Sequence, residues 1–200
     1  MNQVMQRYDA LLIALFDASK PAPVPAACHA RFIAERNRRL LSVGRTMSRY
    51  WPRTLRFEQA MRGRTFIESV AAEIPLLIHE ASTMEDAVET AGLRWHRAAD
   101  LPASRELFRF EQSQRNMRGM GGTVPTRPER AMLKKMGVAR PLVLDFSMDV
   151  LALARSVSYL ESSAASAEHF AGIVPPPQPI RLAFGQHNGK RVVVVLPREA

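Results

Sequence analysis

The clearest alternation of apolar and polar positions lies in residues 180–196, IRLAFGQHNGKRVVVVL. Two runs rich in apolar and β-branched residues flank Asn188-Gly189, a pair typical of a two-residue hairpin turn. Both residue types tolerate the positive φ that a type I′ turn requires at its two central positions. The first arm alternates, whereas the arm over residues 192–196 is apolar on both faces, which favours a place inside a sheet. The pattern predicts a β-hairpin whose outer strand is residues 180–186.

A third strand is expected because an isolated hairpin is only marginally stable in water. The best candidate is residues 141–150, PLVLDFSMDV, in which Leu142, Leu144 and Phe146 alternate with other residues. Three strands would leave an open edge that could accept a strand from another chain. Residues 142–146 are the alternative to residues 180–186 as the outer strand. An ordinary edge protected by Arg and Pro also fits this pattern.

Helical periodicity dominates the earlier part of the chain. Apolar residues recur at three- and four-residue steps over residues 2–18 and again over residues 26–50, and shorter helical patterns follow. The stretch 118–128, RGMGGTVPTRP, is rich in helix breakers and indicates a boundary. The predicted fold class is α+β, an N-terminal all-helical domain followed by a small antiparallel sheet of about three strands. The predicted domains are a helical domain (1–118), a linker with a short helix (119–140) and a small β-sheet domain that binds a peptide or partner (141–200).

Three local signals predict where individual helices begin or end. Pro75 is expected to interrupt a helix over residues 65–73. The pattern Ser82-x-x-Glu85 predicts a capping box at the start of the following helix. Asp100 is expected to cap the next one, with Pro102 in its first turn.

Charged residues are distributed unevenly along the chain. The chain has 28 Lys and Arg against 19 Asp and Glu, a formal net charge of +9. Residues 31–64 hold ten arginines and two acids, whereas residues 68–89 hold six acids and no Lys or Arg. These blocks predict either helices that neutralise each other or a basic surface for nucleic acid or an acidic protein.

The sequence contains no spacing of His, Cys or acidic residues that is typical of a catalytic or metal-binding site. The five histidines are scattered without ligand spacing, so neither a metal site nor a catalytic residue is predicted. Cys28 is the only cysteine and forms no intrachain disulfide, which is typical of a cytoplasmic protein. No run of about 18 apolar residues predicts a membrane span.

Two polar residues fall on otherwise apolar helix faces. Asn37 lies between Ile33 and Leu40, and Glu111 lies in line with neighbouring apolar positions. A buried carboxylate without a partner is strongly unfavourable. We therefore expect a structural polar pair in which Glu111 faces Arg36, Asn37 or both. Catalysis is the alternative, although one carboxylate without a second reactive group is a poor active site.

Four segments together resemble the HvfC/BufC family, members of which are often called DNA-binding domains. RFIAERNRRLL (31–41) followed by Trp51-Pro52 is similar to the family pattern RxxxYRNN…FP, and LFRFEQSQ (107–114) is similar to LAxLExA. RPLVLDFSMDV (140–150) resembles the family strand hPSxRLLxLxxPV, and residues 180–196 resemble its returning hairpin. Glu35 replaces an aromatic residue and Arg38 the second Asn. With that divergence, the layout is most similar to the MbnC branch from methanobactin biosynthesis.

The resemblance implies a function that no residue shows directly. The chain would be a non-catalytic, cytoplasmic partner of a TIM-barrel iron oxidase (MbnB-like), in a heterodimer that converts cysteines of a precursor peptide (MbnA-like) to oxazolone and thioamide groups. Iron would be held by the partner, with no cofactor in this chain. The peptide leader would add to the sheet as a strand. The expected leader-binding residues are Arg181, Leu182, Ala183, Phe184, Leu144 and Phe146. The alternative is a DNA-binding regulatory module that uses the basic helices of residues 31–64, although binding to nucleic acid is not the favoured prediction.

Overall fold

The chain divides into two compact units, Met1–Ala99 and Asp100–Ala200. A computed structural model describes residues 3–78, 80–116, 120–159 and 172–197. Helices precede a small antiparallel sheet of three strands, so the predicted α+β fold class is confirmed. Each of the described helices is too short or too polar to cross a membrane.

The first unit is helical in its described residues. Its elements are α1 (Gln3–Phe16), a 3₁₀ turn (Ala26–Cys28), α2 (His29–Tyr50), α3 (Pro52–Arg62), α4 (Thr65–Leu77) and α5 (Met84–Ala98). Helix α4 packs against each of the other four helices. Trp51 is fully buried, and the ring of Phe66 lies 4.1 Å from that of Trp95, centroid to centroid. Aromatic residues thus form part of the core of the first unit.

Two local signals in the first unit were wrong. Helix α4 continues through Pro75 to Leu77, because a proline so near the end removes little of the backbone ladder and Ile74, Pro75 and Leu77 are all buried. Thr83, not Ser82, caps α5, and its hydroxyl accepts a hydrogen bond from the N–H of Asp86 at 3.1 Å.

The second unit contains three helices and the sheet among its described residues. Its elements are α6 (Pro102–Arg115), α7 (Arg127–Lys135), β1 (Ala139–Phe146), α8 (Val150–Tyr159), β2 (Ile180–His187) and β3 (Lys190–Leu196). Leu101, not Asp100, is the N-cap of α6, while Pro102 does occupy the first turn. The third strand was predicted over residues 141–150 but ends at Phe146, and Val150 is instead the first residue of α8.

The sheet has the order β1-β2-β3, and both neighbouring pairs are antiparallel. The turn between β2 and β3 is Asn188-Gly189, with φ values of 50° and 74°, so the predicted hairpin is confirmed. These positive φ values are those of a type I′ turn, whose twist matches that of the flanking strands.

Each face of the sheet packs against a helix. On one face, Val143 and Ala183 contribute to an apolar cluster with Leu133 of α7. On the other face, the rings of Phe146 and Phe184 lie 6.5 and 5.9 Å from that of Phe110 in α6. Helix α6 therefore belongs to the unit that carries the sheet. The boundary lies at Ala99/Asp100, whereas the sequence pattern had placed it near residue 118.

Candidate peptide-binding edge

The strand order corrects the predicted open edge. Strand β2, residues Ile180–His187, is the central strand and pairs with β1 on one side and β3 on the other. The prediction that residues 180–186 form the outer strand is therefore wrong. The prediction failed because it assumed that a strand with two apolar faces has a neighbouring strand at each edge. Strand β3 is apolar for another reason, since helices cover parts of both its faces.

The expected leader-binding residues are consequently buried within the sheet. Leu182, Ala183 and Phe184 lie in the central strand and are buried. Leu144 and Phe146 lie in β1, which is an edge strand, but their side chains are also buried. No backbone group of β2 is left for an added strand along its paired residues, because both of its sides are taken.

Arg181 forms ion pairs within the second unit. Its Nε donates to Glu129 Oε1 at 2.7 Å, and its Nη1 donates to both carboxylate oxygens of Asp145 at 2.8 and 2.7 Å. The side chains of Arg181 and Glu129 are only 16% and 6% exposed, so this is a largely buried ion pair. The cluster ties β2 to β1 and to α7.

The electrostatics of the cluster keep Glu129 ionised. Burial raises the pKa of Glu129, but hydrogen bonds from Arg181 and from the backbone N–H of Thr126 outweigh it, and the net pKa lies below the usual value. The hydrogen bond to Glu129, followed by that to Asp145, raises the pKa of Arg181. Both partners are therefore charged at neutral pH.

The outer edge of β1 is partly occupied. The N–H of Thr123 donates to the carbonyl of Val143 at 2.8 Å, which forms an isolated antiparallel bridge. The strand register is also interrupted between Ala139 and Leu142. A strand added to β1 would have to displace Thr123 and follow this irregular backbone.

The outer edge of β3 is open in the part of the chain that the structure describes, where no strand or bridge pairs with it. His187 pairs with Lys190 across a two-residue turn, which makes them a hydrogen-bonded pair. Hydrogen-bonded and non-hydrogen-bonded pairs alternate along an antiparallel ladder. The N–H and C=O groups of Arg191, Val193 and Val195 therefore point outward from the sheet.

The side chains along this edge are partly apolar. Val193 is half-buried and Val195 is 57% exposed. An exposed apolar edge strand is a template for pairing with another chain. The position of the Asn188-Gly189 turn already fixed which backbone groups of β3 point away from β2. That information became useful only when the structure showed that β3 is an edge strand.

A cavity of about 520 Å³ adjoins β3 on the face that packs against α6. Its lining comes from the end of α6 and from all three strands. The lining residues used below are Ser113, Arg140, Phe184, Gln186, Arg191 and Val193. Sequence reasoning missed this cavity because it forms where three separate segments meet.

The predicted polar pair is distributed over the two units. Glu111 of the second unit is buried, with 3% of its surface exposed. In the first unit, Arg36 donates to the carbonyl oxygens of Lys20 at 2.9 Å and Ala18 at 3.4 Å, and Asn37 is exposed. Pairing of Glu111 with either residue stays a prediction.

Several arginines of the basic block form ion pairs within the first unit. Arg38 and Arg39 each bind Glu35 at 2.9 Å, and Arg49 lies 3.4 Å from Glu85. The hydrogen bond from Arg38, together with the positive charges of both arginines, lowers the pKa of Glu35. These contacts reduce the charge that the block can offer to a nucleic acid.

Among the described residues, no three His, Cys, Asp or Glu side chains are grouped as metal ligands. Comparison of the chain with known proteins adds no family: no family model, no curated protein and no solved structure matches it. The open edge of β3 and the adjoining cavity are therefore the features on which a function can be argued.

Proposed function

We propose that this chain is the non-catalytic subunit of a cytoplasmic, iron-dependent oxidase complex and that it binds the leader of a precursor peptide by strand addition to β3. The resemblance of its sequence segments to the HvfC/BufC family supports the partner and the chemistry. The open outer edge of β3 is the observation that carries the binding mode. The iron and the reactive groups belong to the partner subunit, and the cysteines of the peptide are the substrate.

The geometry of β3 suits an extended peptide. Main-chain hydrogen bonds to Arg191, Val193 and Val195 supply affinity that is independent of the peptide side chains. Alternate peptide side chains then contact the two faces of the sheet and supply the register. Because β3 is short, the bound segment is expected to be short as well.

The oxidase proposal is tested by co-expression of the full chain with the product of each neighbouring gene. We expect one of them to copurify as a heterodimer that contains iron, while the isolated chain contains none. Stoichiometric iron in the isolated chain, or iron oxidase activity of the neighbour that is independent of this chain, would contradict the proposed division of labour.

Strand addition is tested in that complex by hydrogen exchange with and without the precursor peptide. New protection is expected at the amides of Val193 and Val195, which point outward, and not at those of Val192 and Val194, which already bond to β2. Protection confined to the helices would refute strand addition while leaving the oxidase partnership intact.

The DNA-binding alternative makes a different prediction. It requires binding of duplex DNA at physiological salt that weakens steeply as the salt concentration rises. The ion pairs of Arg38, Arg39 and Arg49 within the first unit argue against such a surface. We expect the nuclease-treated protein to show no salt-sensitive binding to duplex DNA.

A further inference from the structure

The cavity beside β3 is positively charged. Two arginines, Arg140 and Arg191, line it, and none of its lining residues is acidic. Nη1 of Arg191 donates to the carbonyl of Gln114 at 2.8 Å, which holds the guanidinium at the end of α6. A guanidinium carries five N–H donors, so most of those of Arg191 are left for another acceptor.

Two further features indicate that the cavity is built for a ligand. Ser113 is 3% exposed, and its buried hydroxyl has no hydrogen-bond partner, although buried hydroxyls normally have one. Arg140 has a φ of 49°, in the left-handed region that non-glycine residues rarely adopt. Local strain of this kind clusters at binding and catalytic sites.

The register of β3 connects this cavity with an added strand. Phe184 of β2 pairs with Val193, and Gln186 pairs with Arg191, so these four side chains share one face of the sheet. Arg191 and Val193 are also residues whose backbone groups point outward. A residue of an added strand directly opposite either of them would direct its side chain to the same face, beside the cavity.

We infer that this cavity receives an acidic side chain, Asp or Glu, from the strand that adds to β3. The inference rests on the proposed function, because it requires strand addition. A carboxylate accepts two parallel hydrogen bonds from a guanidinium, and it would also give Ser113 the acceptor that it lacks. Arg191 is thus the residue that selects the peptide, in place of Arg181.

The test uses the full chain and two fluorescein-labelled heptapeptides, Thr-Val-Thr-Glu-Thr-Val-Thr and the same peptide with Gln in place of Glu. Affinity is measured by fluorescence anisotropy at fixed ionic strength, since screening alters the interactions of exposed charges. We expect the Glu peptide to bind about tenfold more tightly than the Gln peptide, as a charge-assisted hydrogen bond would give.

Matched variants assign the preference to the cavity. Arg191→Gln should abolish the preference for Glu, whereas Lys190→Gln should keep it, because it removes the same charge one residue earlier and on the other face of the strand. If Arg191→Gln does not fold, Arg140→Gln is the second variant and should reduce the preference. A preference that is undiminished in Arg191→Gln, or in Arg140→Gln where only that variant folds, overturns the inference.

The two proposals fail in distinguishable ways. Val193→Pro removes an outward N–H without breaking the ladder to β2 and should weaken both peptides equally. Equal affinity of the two peptides for the unmodified chain, with both sensitive to Val193→Pro, overturns the acidic preference and leaves strand addition in place. If neither peptide binds, or if binding ignores Val193→Pro, strand addition to β3 and this inference fall together.

Discussion

Replacing Arg181 by Met should selectively destabilise the second unit. Met keeps a long apolar side chain in the central strand but removes every donor that Arg181 offers to Glu129 and Asp145. Glu129 would then be a buried carboxylate that retains only the contacts at its own helix terminus, including a hydrogen bond from Thr126 N–H at 2.6 Å.

The magnitude follows from the exposure of the two acids. The Glu129 side chain is 6% exposed, and removal of one partner from a buried pair costs about 3 kcal/mol. The Asp145 side chain is 46% exposed, so solvent screens its pair with Arg181 and the loss there adds about 0–1 kcal/mol. We expect a total loss of about 3–4 kcal/mol in the free energy of unfolding at pH 7.

Hydrogen exchange at the amides of β2 measures this loss where it occurs. A change of about 3 kcal/mol corresponds to roughly a hundredfold faster exchange when opening is in rapid equilibrium. Both tryptophans, Trp51 and Trp95, lie in the first unit, so their fluorescence serves as an internal control that should report an unchanged transition.

The destabilisation caused by Arg181→Met should depend on pH. The pKa of Glu129 is lowered in the folded chain, so its stabilising contribution is present above its unfolded pKa, about 4.3, and is lost as the pH falls through the folded value. The difference between the Arg181→Met variant and the unmodified chain should therefore shrink as the pH falls below the unfolded pKa of Glu129. Unchanged exchange of β2 at pH 7, or a difference independent of pH, would refute the role assigned to this pair.

Two further substitutions test the packing of each unit. Gly92→Ala should destabilise the first unit by about 1–3 kcal/mol, because the added Cβ would collide with the ring of the fully buried Trp51. This clash outweighs the better helix propensity of Ala. The measurement is a lowered Tm with altered Trp51 fluorescence, and an unchanged Tm contradicts the argument. Thr126→Ala should cost about 1 kcal/mol in urea unfolding, because Thr126 and Glu129 form the capping box of α7. Thr126→Ser is its control and should retain most of that stability.

The hairpin turn and the presence of the helices were determined by the sequence alone. The Asn188-Gly189 turn was predictable because positive φ at two successive residues is a property of the residues themselves. The helices of the first unit were predictable as elements, since a repeating apolar stripe is typical of a helix. The buried faces were predicted less well, because Val4, Tyr8 and Ile33 lie on the predicted apolar stripes and yet are 68%, 55% and 50% exposed. The α+β class follows from the succession of these two patterns.

The order of the strands was decided only by the tertiary structure. Alternation within a strand reports which faces are buried, but not which neighbours its backbone bonds to. Arg181 looked like an edge residue because a charge in a central strand is unfavourable alone, and only the fold brings Glu129 and Asp145 to it.

The candidate site depends on the same decision. Arg191 and Arg140 are separated by 51 positions in the sequence, yet they line one cavity because β1 and β3 flank the same central strand and α6 ends beside them. No local pattern marks such residues, since their relation is created by packing between distant segments. The sequence determined which residues form the hairpin, and the packing of α6 against the sheet determined which of them line the cavity.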